Sequence, residues 1–157
     1  METTTAERAE ALATRLERAA TDLIAVVATI DDRRWRFTPS AGVWSISKDA
    51  EHVVEAASYH HWIVRLTIGE KVPSRKPVLE RKRMTSDLSP IEIVALIRER
   101  TEDGQRLIRG LSEDQLDLPT KPPRARDQRL AETIEQVLIG HYDGHRREIE
   151  SKLAALA

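Results

Sequence analysis

The chain contains no cysteine, which excludes a disulfide framework, a thiolate zinc site and a cysteine nucleophile. Aromatic residues are few, three Trp, two Tyr and one Phe, and no stretch of Val, Ile or Thr alternates usefully with polar residues. The strand signal is therefore close to absent. An excess of one charge is missing too. The 25 Lys and Arg against 26 Asp and Glu leave a formal charge of -1, which argues against a general nucleic-acid binder. No apolar run approaches the roughly 18 residues of a membrane span. The start, Met1-Glu2-Thr3-Thr4-Thr5, lacks the basic-then-apolar layout of a secretory signal. These absences lead to the expectation of a cytoplasmic protein with neither a membrane nor a nucleic-acid partner.

What is present favours helix. Ala, Leu, Glu and Arg dominate, and all are good helix formers. The 157 residues fit a single domain, 1–157, able to bury about two-thirds of its surface. Four stretches show helical periodicity, over about 5–30, 45–69, 89–110 and 129–156, and the segments between them carry six of the seven prolines. In the first, Leu12, Leu16, Ala19, Leu23, Val26 and Ile30 fall on one stripe. The second is expected to start at Ser45 or Ser47 with Asp49 in its first turn, and to present His52, Ala56, Tyr59, Ile63 and Leu66. Ser89-Pro90 is an N-cap followed by Pro at the first helical position. The fourth stripe is Leu130, Ile134, Leu138, His141, His145, Ile149 and Leu153. Four amphipathic rods of similar length pack as an all-α four-helix bundle.

Three of the five histidines occupy stripe positions where the periodicity asks for Leu or Ile. His141 and His145, four apart, are neighbours on one helical face, and His52 does the same on the second helix. A buried imidazole needs partners for its nitrogens, and one shared divalent ion satisfies three rings at once; metal-free core histidines are the competing reading. His60 and His61 sit off the stripe and read as surface or boundary residues. A di-iron carboxylate site is excluded, since it wants inward Glu-x-x-His motifs on two helices and no histidine here has Glu three residues before it. His-Glu-x-x-His is missing as well, because Tyr142 follows His141.

Two motifs resemble a known family. Gly42-Val43-Trp44-Ser45, with His52 eight residues after the Trp, resembles the start of the second helix in the DinB/YfiT-like superfamily, whose members are held to be metalloenzymes. His141-Tyr142-Asp143-Gly144-His145-Arg146 resembles that family's C-terminal His-x-x-x-His-Arg. The resemblance covers essentially the whole chain. It implies a bundle in which His52, His141 and His145 hold one divalent metal, with zinc or nickel favoured and iron or manganese next. It also implies a metal-dependent transferase using a low-molecular-weight thiol, or a hydrolase, acting on a small-molecule substrate. Many members are homodimers. A Gly-Gln pair often follows the His-Arg in the family, whereas Arg147-Glu148 stand here. The alternative reading is a bundle that binds a metal or small ligand without turnover.

Three imidazoles leave a divalent ion open positions, as in catalytic sites. Without cysteine the chain cannot supply a thiol, so a thiol transferase needs an external one. Glu55 and Glu148, each three residues after a triad histidine, and Tyr59 are candidate catalytic groups; solvated helix-face charge is the plainer reading of the two Glu. Trp35, Phe37 and Trp44 are expected to close one end of the core, with Trp44 beside the site, and Tyr142 is a candidate pocket residue. Gly140 and Gly144 imply either close approach of another helix or room for a ligand. The connectors are basic. Lys71, Arg75, Lys76, Arg81, Lys82 and Arg83 face only Glu80 within 71–83. An up-down order of helices puts that segment at the far end. The same order puts Lys121, Arg124, Arg126 and Arg129 around the mouth, the last three as candidate contacts for an anionic cofactor.

Overall fold

The computed structural model describes residues 6–75, 84–123 and 127–156. Four long helical segments carry the fold: α1 (Glu7–Val27), α3 (Ile46–Thr67), α4 (Pro90–Arg109), and a last rod made of α6 (Leu130–Thr133), a π-helical stretch (Ile134–Ile139) and α7 (Gly140–Ala155). Two short helices, α2 (Asp32–Arg36) and α5 (Glu113–Leu116), lie in the connectors. Among the described residues there is no strand, so the all-α expectation holds. The expected helices end within a few residues of the observed ones. Sequence signals set the starts: Ser45 accepts from the Lys48 amide, and Ser89 forms a reciprocal capping box with Glu92 ahead of Pro90.

The order of directions differs from the expected up-down alternation. Arg109 of α4 pairs with Glu10 of α1, and Gln105 donates to the Ala13 carbonyl, so α4 runs antiparallel to α1. Ser86 donates its amide to Ser47 at the start of α3, and the Trp35 indole donates to the Leu88 carbonyl. The connector after α3 therefore travels back along the molecule, and α4 starts beside the N-terminus of α3 and runs parallel to it. The last rod returns antiparallel to both, since Lys152 reaches the Trp44 carbonyl while Lys121, just upstream, bonds Thr67 at the C-terminal end of α3.

The core is one apolar cluster from all four rods, including Leu16 and Leu23, Ile46 and Val53, Ile93 and Ile97, and Leu130 and Ile149. The first and fourth stripes are largely as expected. On α3 the stripe is corrected by one position. Ile46, Ala50, Val53, Ala57, His60, Val64 and Thr67 are all buried, a run of alternating fours and threes about 100° around the helix from the expected one, of which Ala56 and Ile63 are buried as well. His60 and His61, read as boundary residues, are thus buried, at 7% and 4% exposure. The reason is that α3 packs against α4 as well as the last rod, so a wider face is covered. Trp35 is fully buried as expected, whereas Phe37 is 45% exposed and closes nothing.

Candidate metal centre

The corrected stripe explains where His52 sits. It lies at the edge of the α3 face that meets α7, two turns from the Ser45 cap, and is half-buried rather than in the deep core. His141 and His145 follow one another by a turn on α7 and are half-buried too. One ring nitrogen from each of the three lies within 4.8 Å of the others. The ring centroids are 5.3, 5.1 and 5.1 Å apart. His52 Nε2 and His141 Nε2 approach to 3.3 Å. Two such atoms at that distance share either a proton or a cation. Zn–N bonds of 2.0–2.1 Å in tetrahedral geometry put neighbouring nitrogens about 3.3 Å apart, so the donor set fits a divalent ion.

The surroundings fix the rings. His145 Nδ1 lies 3.3 Å from Asp49 Oδ1, which suits an Nδ1–H donor and leaves Nε2 its lone pair. Asp49 is itself buried and ion-paired to Lys152. Glu55 Oε2 stands 3.9 Å from His52 Nδ1, and its other oxygen stands 3.7 Å from Lys48 Nζ. Lys48 is 1% exposed and also faces Glu51 at 3.8 Å. Each of two triad rings is thus backed by a carboxylate that a lysine holds. Trp44 lies over the site, 5.0 Å from the His52 ring and stacked at 6.5 Å on His145, and His60 packs edge-on against His141 at 4.9 Å. Burial, then the neighbouring His145 and His141, push the His52 pKa down to about 4. Its ring is neutral near pH 7, the form that binds metal.

The other singled-out residues scatter. Glu55 is brought to the triad. Tyr59 stacks on Trp62 at 5.5 Å, two turns further along α3 than His52. Glu148 is exposed. Arg124 and Arg126 lie outside the described residues, as do Lys76, Glu80, Arg81, Lys82 and Arg83. Lys121 and Arg129 sit at the C-terminal end of α3, where Leu130 donates its amide to Leu118 and Thr120 its amide to Gln128 in a short ladder. That end is the wrong one for a ring around the mouth, because the chain returns from α3 before starting α4. Tyr142 is a core residue at 1% exposure whose hydroxyl meets Thr101 at 3.3 Å. Burial raises its pKa against the opposing effect of that bond.

Of the two glycine readings, close helix approach within the chain gives way to open space. A Cβ on Gly140 would meet only the Glu135 carbonyl at 3.7 Å, and one on Gly144 nothing within 4 Å. Neither marks close helix approach within the chain; Gly144, beside His145, faces open space. The close approach is at Gly104, where a Cβ would fall 2.9 Å from His61 Nε2 and 3.0 Å from Leu16 Cδ2. Sequence reasoning missed the positions of Lys48 and Lys152. For Lys48 a signal existed: it is four residues from the site's Trp44 and its i+3 and i+7 positions are both Glu.

A family model described as the DinB superfamily matches residues 15–149. No curated protein and no solved structure matches the chain. The matched span contains all four long helical segments in whole or large part, and His52, His141 and His145 all fall inside it. The chain belongs to the DinB superfamily.

Proposed function

We propose that this DinB-superfamily chain is a metal-dependent enzyme, a four-helix bundle that holds one divalent ion on His52, His141 and His145 and acts on a small molecule. The observation that carries the reading is the convergence of three imidazole nitrogens within 4.8 Å from two helices. An ion held by three neutral ligands keeps open positions and lowers the pKa of a bound water or thiol. Asp49 and Glu55 orient the rings of His145 and His52, and Lys152 and Lys48 hold those carboxylates in place. Trp44 shields one side of the triad from water. The open space beside Gly144 leaves room for a substrate next to His145.

The favoured reaction is transfer involving an external low-molecular-weight thiol and a small electrophile. The absence of cysteine supports an external rather than an internal thiol. The test supplies a thiol and an electrophile to protein loaded with zinc or nickel and follows loss of both. Consumption that stops on chelation and returns with the ion is the expected result. Bound metal without any consumption, across several thiols and electrophiles, would leave a metal-binding bundle and remove the enzyme.

A further inference from the structure

A cavity of about 450 Å3 lies on the other side of α3 from the triad, between α3, α4 and residues 72–75. His61 lines it, nine residues beyond His52, and two and a half turns put the two rings on opposite sides of the helix. The wall is built rather than incidental. The Trp62 indole donates to the Pro73 carbonyl at 2.7 Å, and Arg75 Nη1 donates to the Ser58 carbonyl and hydroxyl at 3.0 and 3.1 Å. These bonds strap the segment after α3 across the helix and form one wall of the cavity, which stays open to solvent.

The chemistry of the lining is uneven. Three guanidinium groups, Arg65, Arg75 and Arg100, surround the space against one carboxylate, Asp103. Among the described residues Arg65 has a loose contact with Glu70 at 3.6 Å, and Arg100 a contact with its chain neighbour Glu99. His61 is 4% exposed, yet its Nε2 is buried with no hydrogen-bond partner. Among the described residues neither of its ring nitrogens is bonded. That nitrogen faces the Gly104 backbone, where a Cβ would fall 2.9 Å from it, so it belongs to the packing of α3 on α4 rather than to the cavity. Burial also holds the His61 pKa down to about 4, so the ring offers hydrogen bonding rather than a fourth charge. Trp62, Val72 and Pro73 supply an apolar side.

We propose that this cavity is a second, metal-independent binding site for a small organic phosphate monoester, its dianionic head held by Arg65, Arg75 and Arg100 beside His61 and its apolar part against Trp62. Forked guanidinium donors suit phosphate oxygens, and three of them favour a dianion over a monoanion. The site makes no use of the triad.

The test is calorimetric titration of phenyl phosphate into metal-free protein, with benzoate, phenol and inorganic phosphate as separate arms. Saturable binding of phenyl phosphate is expected, weakening as salt rises, with the other three weaker. Arg65→Gln with Arg100→Gln should weaken it by about tenfold or more, and His61→Phe should weaken it less. His52→Ala should leave it unchanged. The single Arg65→Gln variant, at a position 43% exposed, guards against a folding defect and should already lower affinity. Absence of saturable binding up to about 10 mM would overturn the site. So would benzoate or phenol binding as tightly as phenyl phosphate, or loss of binding in His52→Ala with none in the arginine variants.

Discussion

Two histidines of α3 share a property and differ in use. Burial depresses the pKa of both His52 and His61 to about 4, but His52 turns toward two other imidazoles while His61 turns toward a cavity and Gly104. For His61 the consequence is a linkage to stability. Its ordinary pKa is 6.5, so between about pH 4 and 6.5 the unfolded chain binds more protons than the folded one. Stability therefore rises with pH across that window and is lost as pH falls through it. The full shift corresponds to roughly 3 kcal/mol. His61→Phe keeps a ring in place and removes the titration. In urea unfolding of metal-free protein, wild type should lose about that much more stability than the variant between pH 7 and 4. Equal losses in the two proteins would show that His61 is not held neutral by the fold.

Along the helices, glycine and the π-helical stretch decide how neighbours meet. Gly104 lets α4 approach close enough for His61 and Leu16 to pack on its backbone. Gly104→Ala forces both side chains to move, and overpacking of this kind costs about 1–3 kcal/mol. Gly144→Ala meets nothing and should gain up to about 1 kcal/mol from helix propensity. Opposite signs in urea midpoints are the expected outcome, and destabilisation of similar size in both would contradict this packing. The π stretch has a comparable role. The stripe from Leu130 to Leu153 spends 23 residues on six turns, whereas an ideal α-helix needs about 21.6. The wider turns of Ile134–Ile139 absorb the excess, so that Leu130 and Ile134 below and His141 and His145 above all face inward.

The three-dimensional arrangement shows why some features were legible in the sequence and others not. Periodicity and caps placed the four long rods and put His52, His141 and His145 on facing surfaces, because a stripe records which side of a helix is covered. It does not record which end meets which. The segment between Thr67 and Pro90 runs back along α3, and the one between Arg109 and Leu130 stays at one end. Both connectors have similar length, so length alone does not distinguish a crossover from a folded turn. Lys121 and Arg129, expected around the mouth, lie at the other end for that reason. His60 and His61 were misplaced because a helix covered by two neighbours has a broad buried face, and its edge positions read as its centre. Gly104 left no signal, since close approach depends on the partner helix.

On the proposed reading, His52, His141 and His145 share one ion. Elemental analysis of protein purified without added metal tests it most directly, comparing wild type with His52→Ala, His141→Ala, His145→Ala and, as a control on the far side of α3, His61→Ala. About one divalent ion per chain is expected in wild type and in His61→Ala, with a small fraction of that in each triad variant. Equal metal content in wild type and all three triad variants would contradict it.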